Sequence, residues 1–172
     1  MLLSDSTRDA RPAAAVTRSA TARTPLIANL AAFALFFASL CFFSSSPAGQ
    51  GALALSLAGG ALAVVGAALV LRSRAELGCA WSLLPKADRD TGLVTTGPYR
   101  VVRHPIYLGL TLIAAGNAVS FGNGAALLLV ALGIVPTFAW RACVEEGELS
   151  RAFGETFAAY RRRTKMIIPH LL

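Results

Sequence analysis

Two clusters of charged and aromatic residues carry the side chains that could do chemistry in this sequence. The first runs from Gly97 to Gly109 and reads Gly-Pro-Tyr-Arg-Val-Val-Arg-His-Pro-Ile-Tyr-Leu-Gly. Pro105 suits the first position of a helix, because its missing N–H would be unpaired there in any case. Arg103 and His104 then flank a helix N-terminus, where free N–H groups and the helix dipole favour an anion. The cluster therefore predicts a carboxylate or phosphate site.

His104 is the candidate proton acceptor of this first cluster. The adjacent Arg103 and the positive end of the helix disfavour a protonated imidazole, so we expect a neutral one. A neutral imidazole could accept a proton or orient a ligand. Tyr107 adds a ring and a hydroxyl in the first helical turns, and Gly109 leaves room because it has no side chain. Basic residues on the cytoplasmic side and an interfacial histidine and tyrosine would explain the same pattern without a site.

The second cluster follows at residues 141–160 and centres on two adjacent glutamates. Glu146, Leu149 and Phe153 lie three and four residues apart, so they share one face of a helix. A carboxylate on an apolar face is costly unless it is paired, so Glu146 predicts a cationic partner or ligand. Glu145 lies four residues after Arg141, and that pair could be an ordinary ion pair on the helix surface. A solvated amphipathic helix remains the alternative explanation.

The composition places both clusters in an integral membrane protein. Of 172 residues, 55% are hydrophobic and only 15% are charged. No charged residue lies between Thr24 and Leu71, or between His104 and Trp140. A soluble domain would need charges on its exposed faces in those stretches. The net charge of +7 therefore indicates the cytoplasmic side of a membrane rather than a nucleic-acid partner.

The charge-free stretches divide into four segments near the length of about 17–20 residues that a bilayer crossing needs. The first is too long, and follows too long a tail, for a cleaved signal peptide. We expect a turn at Gly122-Asn123 and a kink at Pro136, whose ring removes a backbone hydrogen bond. The predicted spans are 26–43, 51–71, 105–121 and 124–140.

The basic residues orient these spans. They fall in the segments 1–25, 72–104 and 141–172, while the two tight turns between paired spans carry none. The positive-inside rule then places both termini and the central loop in the cytoplasm. The predicted fold is all-α, with four transmembrane helices and a C-terminal cytoplasmic helical segment. Residues 1–24 are expected to be a disordered cytoplasmic tail, and 25–172 to form one membrane domain.

The cysteines and histidines do not predict a metal site. Three cysteines and two histidines occur, without a Cys-x-x-Cys pair. These are too few ligands for a zinc cluster, so we expect no metal. Cys41, Cys79 and Cys143 are interpreted as small apolar fillers.

Together the two clusters resemble the signature of the isoprenylcysteine carboxyl methyltransferase family, which is similar to the phospholipid methyltransferases. The resemblance rests on Arg-His-Pro-x-Tyr-x-Gly at 103–109 and on a Glu-Glu pair followed by Phe-Gly at 145–154. The residues at 93–100, together with Tyr160 and Pro169, also match. Phe157 departs from the tyrosine of many relatives, which weakens any role for a hydroxyl at that position.

The resemblance implies an integral membrane methyltransferase that uses S-adenosylmethionine and has a cofactor-binding core at 93–169. The chain has no Gly-x-Gly-x-x-Gly after a strand-like run, as expected for a protein without a dinucleotide-binding sheet. Arg103 would bind the methionine carboxylate, and Glu146 the cofactor's amino group or ribose. His104 and Glu146 would be the catalytic residues. The residues carried over to the cofactor pocket are Tyr99, Arg103, His104, Pro105, Tyr107, Gly109, Glu145 and Glu146.

The resemblance also implies a lipophilic acceptor that reaches the site from the bilayer. An isoprenylcysteine carboxylate, another lipid and a small thiol all remain open. Two other functions remain alternatives: an NADPH-dependent intramembrane reductase, since sterol reductases share a similar Arg-His-Pro-x-Tyr-x-Gly element, and a non-enzymatic membrane scaffold. The reductases resemble longer chains with more spans, and binding of S-adenosylmethionine, NADPH or neither would separate the three.

Overall fold

The computed structural model describes residues 11–43, 51–78 and 92–168. The regular elements formed by these residues are helices. The described part contains no strand beyond an isolated parallel bridge between Val102 and Lys165. The elements in chain order are α1 (Arg11–Phe43), α2 (Ala52–Leu77), a 3₁₀ turn (Gly97–Arg100), α3 (Pro105–Ser120), α4 (Gly124–Leu129), a π-helical turn (Val130–Ile134), α5 (Val135–Phe153) and α6 (Glu155–Arg163).

Three helical segments in the described part are long and apolar enough to cross a membrane. They are Arg23–Phe43, Ala52–Leu77 and the continuous helix Gly124–Phe153. The apolar α3 has 16 residues, about 24 Å at 1.5 Å per residue, against a hydrocarbon core of about 30 Å. The all-helical, multi-pass architecture is therefore confirmed, while the fourth span stays a prediction.

The first helix begins earlier than the predicted span. It starts at Arg11 and continues through Pro25, which is fully buried. Alanines at positions 13–15 favour a helix, since alanine has the highest helix propensity. Residues 11–24 are thus helical where the sequence led us to expect a disordered tail, and residues 1–10 of that tail lie outside the described residues.

Helices α2 and α3 approach each other through two glycine pairs, Gly59 with Gly116 and Gly66 with Gly109. A Cβ atom built at Gly66 would lie 2.5 Å from the carbonyl oxygen of Gly109, and one at Gly116 would lie 2.5 Å from that of Gly59. Small residues permit such close packing of membrane helices. The first cluster of the sequence therefore ends on a helix that is packed backbone to backbone against α2.

Asn123 fixes the turn between α3 and α4 that the sequence predicted. The side-chain oxygen accepts a hydrogen bond from the Ala126 N–H at 2.9 Å, which caps α4. Its amide nitrogen donates to the Ser39 carbonyl at 2.9 Å, which ties the turn to α1. Gly122 has a φ of 59°, a conformation that favours glycine.

We expected a kink at Pro136, and the structure has a π-helical turn at Val130–Ile134 that ends two residues before it. The proline ring has no N–H to donate to the preceding turn. Thr137 Oγ1 donates to the carbonyls of Gly133 and Ile134 at 2.9 and 3.0 Å, and in turn accepts from Asn29 Nδ2 at 3.1 Å. The Thr137 hydroxyl and the Asn29 amide nitrogen are therefore paired with each other across α1 and α5, as a low-dielectric surrounding requires.

Candidate functional site

The two clusters of the sequence meet at one end of the helix bundle. Arg103 precedes α3, Glu146 lies in α5, and the Arg103 Nε donates to Glu146 Oε1 at 2.6 Å. The two side chains are only 8% and 9% exposed. A buried carboxylate with a cationic partner is what the helical spacing of Glu146, Leu149 and Phe153 predicted, and the partner is Arg103.

Glu145 is a second buried carboxylate beside the first. Its Oε1 accepts hydrogen bonds from the Tyr107 hydroxyl and, at 3.1 Å, from Arg141 Nε. The Arg141 and Glu145 side chains are 11% and 20% exposed. The ion pair predicted between them is therefore present, but it is largely buried rather than on the helix surface.

His104 lies between these two carboxylates. Its Nδ1 is 3.5 Å from Glu145 Oε2, and its Nε2 is 3.4 Å from Glu146 Oε1. Among the described residues, Nε2 has no partner in hydrogen-bonding alignment, although it is buried. The imidazole therefore lies between two carboxylates, and its Nε2 remains able to form a hydrogen bond with a ligand.

The pKa of His104 shifts in the opposite direction to the one that we expected. Burial lowers the pKa of His104, but the neighbouring Glu145 and Glu146 carboxylates outweigh burial and raise it above its usual value. The sequence showed the adjacent Arg103 and the helix end but not two carboxylates from a helix about forty residues away. Charge brought by tertiary packing therefore decides the direction of the pKa shift.

The segment after α6 folds back onto the residues before α3. The Arg103 N–H donates to the Lys165 carbonyl at 2.8 Å, and the His104 N–H donates to the Met166 carbonyl at 2.9 Å. The Arg103 guanidinium also donates through Nη1 to the carbonyls of Thr164 and Arg161, the latter at 3.3 Å. These residues fall within the predicted core 93–169, but this pairing was not predicted, because backbone carbonyls leave no pattern in the sequence.

Arg161 is a third cation at the site that the sequence analysis missed. Its Nε lies 3.7 Å from Glu146 Oε2, although its side chain is 66% exposed. Glu146 is therefore reached by Arg103 from inside the protein and by Arg161 from the surface. No periodicity could have assigned Arg161 to the site, since it lies on a different helix from Glu146.

An aromatic column runs from the charged cluster into the bundle. The rings of His104 and Tyr107 stack at 5.4 Å with 4° between their planes, and Tyr107 stacks on Phe138 at 4.6 Å. Phe138 meets Phe33 of α1 edge to face at 5.9 Å. Arg141 lies 5.7 Å from the centre of the Tyr107 ring. The charged site is thereby connected to the membrane-spanning pair α1 and α5.

Tyr99 and Tyr160 join the 3₁₀ turn to α6. The Tyr160 hydroxyl donates to the Tyr99 carbonyl at 2.7 Å. Burial raises the pKa of Tyr160 to about 12 and that of Tyr99 further, so neither phenol ionises near neutral pH. Phe157 is 2% exposed, and its ring packs edge to face on the ring of Tyr160. The aromatic ring at position 157 therefore has a packing role that needs no hydroxyl.

Pro105 and Gly109 make packing contacts. Pro105 is the first residue of α3, as predicted, and is fully buried. A Cβ atom at Gly109 would lie 2.7 Å from both the Gly66 carbonyl oxygen and the Val70 side chain on α2. Contact with α2 therefore explains the glycine without a ligand. The residues that the structure brings into one charged cluster are Arg103, His104, Tyr107, Glu145 and Glu146.

The cysteines do not serve as core fillers in the described part of the chain. Cys41 and Cys143 are both exposed, which corrects the expectation for these two residues. Cys79 lies outside the described residues. Within residues 11–43, 51–78 and 92–168, no group of three or more histidine, cysteine, aspartate and glutamate side chains is arranged to hold a metal ion.

The chain matches one family model and is similar to two named methyltransferases. The model of the phospholipid methyltransferase family matches residues 55–156. A protein-S-isoprenylcysteine O-methyltransferase of Schizosaccharomyces pombe is 37% identical over 84 residues, which cover 49% of this chain and 36% of the relative. Methanethiol S-methyltransferase 2 of Bradyrhizobium diazoefficiens is 35% identical over 80 residues, which cover 42% of this chain and 27% of the relative.

A solved structure is similar over most of the chain. It is the eukaryotic intramembrane Ras methyltransferase, an isoprenylcysteine carboxyl methyltransferase, with a TM-score of 0.66 and 26% sequence identity. The match covers 85% of this chain and 52% of that protein. The chain thus spans about half of the solved structure and between a quarter and two fifths of the two relatives named above.

Proposed function

The chain belongs to the phospholipid methyltransferase family, and from that premise we propose that it is an integral membrane methyltransferase that uses S-adenosylmethionine. The observation that carries the proposal is the buried cluster at the start of α3. There Arg103, His104, Glu145 and Glu146 lie within ion-pair distance of one another across two helices. So much buried charge is expensive to maintain for stability alone, which favours a function.

The residues of the cluster fit this cofactor. S-adenosylmethionine carries an ammonium, a sulfonium and a carboxylate. Glu145 and Glu146 would hold the two cationic groups, and Arg103 and Arg141 would hold the carboxylate. His104 Nε2 is buried and has no hydrogen-bond partner among the described residues, so it offers a polar contact that a ligand can satisfy.

The cluster would act mainly by orientation. When bound, the cofactor supplies an electrophilic methyl group on a sulfonium. Holding charged groups in fixed positions, away from water, is the contribution this protein would make to the transfer. Tyr107 and Phe138 form an apolar wall beside the carboxylates. We propose His104 and Glu146 as the catalytic residues and 93–169 as the cofactor-binding core.

His104 is better placed to donate a hydrogen bond than to remove a proton. The two carboxylates raise the pKa of His104 and so favour its protonated form, which has no free lone pair with which to accept a proton. An acceptor that is already an anion, such as a carboxylate or a thiolate, needs no proton removed. We therefore favour a lipophilic carboxylate or thiol as the acceptor over an amine. The isoprenylcysteine and methanethiol methyltransferases named above are consistent with this class.

We further propose four spans, with α3 as the third, and both termini in the cytoplasm. Labelling of single cysteines by a membrane-impermeant reagent, with the native cysteines replaced, tests this topology. Gly124→Cys should be labelled from outside intact cells, and Lys86→Cys should be protected. Gly124 is exposed, whereas the neighbouring Asn123 is buried and caps α4. Labelling at Lys86 alone would show that the orientation is inverted.

Isothermal titration of the full-length protein in detergent tests the proposed activity. We expect S-adenosylmethionine to bind at one site and NADPH not to bind. Binding of NADPH alone would indicate a reductase, and binding of neither would indicate a scaffold. Incubation of membranes with methyl-labelled cofactor, followed by extraction of lipids and small thiols, would then identify the acceptor.

A further inference from the structure

The exposed basic cluster at the end of α6 has no partner in the mechanism proposed above. Arg161, Arg162, Arg163 and Lys165 are all exposed. Within the described part of the chain, the only carboxylate at ion-pair distance from any of these four is Glu146, which lies 3.7 Å from Arg161. Arg162, Arg163 and Lys165 therefore present three cations in four residues that no described carboxylate neutralises.

The basic cluster is tied to the residues that directly precede α3. Lys165 is bridged to Val102, and its carbonyl accepts from the Arg103 N–H at 2.8 Å. Arg103 lies two residues before Pro105, where the apolar helix α3 begins. Beside the bridge, Val101 is 59% exposed. The cations and an apolar side chain thus lie together at the level where an apolar membrane helix starts.

The same segment also holds the charged site together. The carbonyls of Arg161 and Thr164 accept from the Arg103 guanidinium, and the carbonyl of Met166 accepts from the His104 N–H. Arg103 in turn pairs with Glu146. Whatever fixes the segment in place therefore also fixes the geometry of Arg103 and His104.

We propose that Arg162, Arg163 and Lys165 bind the anionic headgroups of the membrane surface, and that this contact docks the segment 155–168 onto the site. Clusters of basic residues beside membrane helices are attracted to anionic lipids, and the attraction is additive over the charges. Like charges so close in sequence repel one another, so without a counter-charge the segment is held less firmly. The lipid composition would then set how well the site is assembled.

Hydrogen–deuterium exchange of the full-length protein in lipid nanodiscs tests the proposal without any cofactor. The readout is the protection of the Arg103 and His104 amides, which donate to the docked segment. We expect exchange to be about 100-fold slower in discs with about 30% phosphatidylglycerol than in pure phosphatidylcholine, since each of the three surface cations contributes roughly a factor of five. Equal protection in both discs would overturn the proposal.

Three variants make the test specific. Replacing Arg162, Arg163 and Lys165 by glutamine should abolish the difference between the two lipids. Exchanging them for the other basic residue (Arg162→Lys, Arg163→Lys, Lys165→Arg) should preserve the difference between the two lipids. Unchanged protection of the amides in α2 and α3 would show that the glutamine variant and the exchange variant both fold. The matched control removes three other exposed arginines, Arg23, Arg72 and Arg151, and should keep the difference. If the control also loses the difference between the two lipids, the effect comes from the overall positive charge of the protein and not from Arg162, Arg163 and Lys165.

A soluble anion is the competing source of the same chemistry. Addition of inorganic phosphate to discs of pure phosphatidylcholine should not slow the exchange of the Arg103 and His104 amides. Protection by phosphate equal to that by phosphatidylglycerol would show that a free anion, rather than a lipid surface, occupies the cluster. Because exchange is measured without S-adenosylmethionine, failure here leaves the methyltransferase proposal standing, and failure of that proposal does not affect this test.

Discussion

Glu146→Gln is the substitution that probes the candidate site most sharply. The side chain keeps its shape and an oxygen that can accept from Arg103, but it loses its charge. In the structure this charge lies 2.6 Å from Arg103 Nε, 3.4 Å from His104 Nε2 and 3.7 Å from Arg161 Nε. One substitution therefore removes the anion that three cationic groups share, while the helix and its packing remain.

The expected magnitude follows from burial. Removing one partner of a buried charge pair costs about 3–5 kcal/mol. The glutamine amide retains part of the hydrogen bond, and Arg103 keeps the carbonyls of Arg161 and Thr164. We therefore expect the free energy of unfolding to fall by about 2 kcal/mol, or the melting temperature by about 4–8 °C for a chain of this size. Affinity for S-adenosylmethionine should fall tenfold or more, about 1.4 kcal/mol.

The assays are thermal unfolding and isothermal titration of the purified variant in detergent. Glu148→Gln is the matched control, since Glu148 pairs with Arg151 at the surface, where such pairs contribute about 0–1 kcal/mol. It should change neither quantity measurably. A sensitive Glu148 and a silent Glu146 would refute the assignment of the α5 face, and full affinity in both would move the essential carboxylate to Glu145.

Three further perturbations test separate parts of the account. Arg103→Ala should weaken cofactor binding by about 2–4 kcal/mol, and Arg103→Lys should have an intermediate effect. Loss of the exposed Arg100 should weaken binding far less. Equal losses of affinity at the two positions would show that Arg103 has no special role. Because the folded pKa of His104 is raised, its protonation stabilises the fold below about pH 6.5 and this stabilisation disappears as pH rises through the folded pKa. The difference in melting temperature between wild type and His104→Gln should therefore shrink with rising pH, and a growing difference would show the opposite shift. Gly109→Ala should lower the free energy of unfolding by about 1–3 kcal/mol by forcing α2 and α3 apart. Gly124→Ala, with open space around it, should not. Loss of cofactor affinity at unchanged stability would instead show that Gly109 lines the cofactor pocket.

The parts of the site that the sequence predicted are those carried by local spacing. The burial of Glu146 followed from its distance to Leu149 and Phe153 along a helix. The start of α3 at Pro105 followed from the backbone chemistry of proline, whose missing N–H is tolerated at the first helical position. In each case the signal lies within one or two helical turns of the residue that it describes.

The parts that the sequence missed depend on contacts between distant segments. The pKa of His104 is raised by carboxylates of α5, and Arg103 is held by backbone carbonyls that any residue type could supply. Gly109 was assigned to a pocket because it lies in the signature, yet the helix that it faces is α2. Backbone acceptors and helix pairing leave no mark on composition or periodicity, which is why local patterns could not reveal them.

Ultraviolet cross-linking of radiolabelled S-adenosylmethionine to the full-length protein, followed by peptide mapping, tests the central claim most directly. The account predicts that the label lies in peptides from 97–109 or 138–164, and that excess S-adenosylhomocysteine removes it. Label confined to 26–43 or 51–77, or label that the competitor does not displace, would contradict a cofactor site at the Arg103–His104–Glu145–Glu146 cluster.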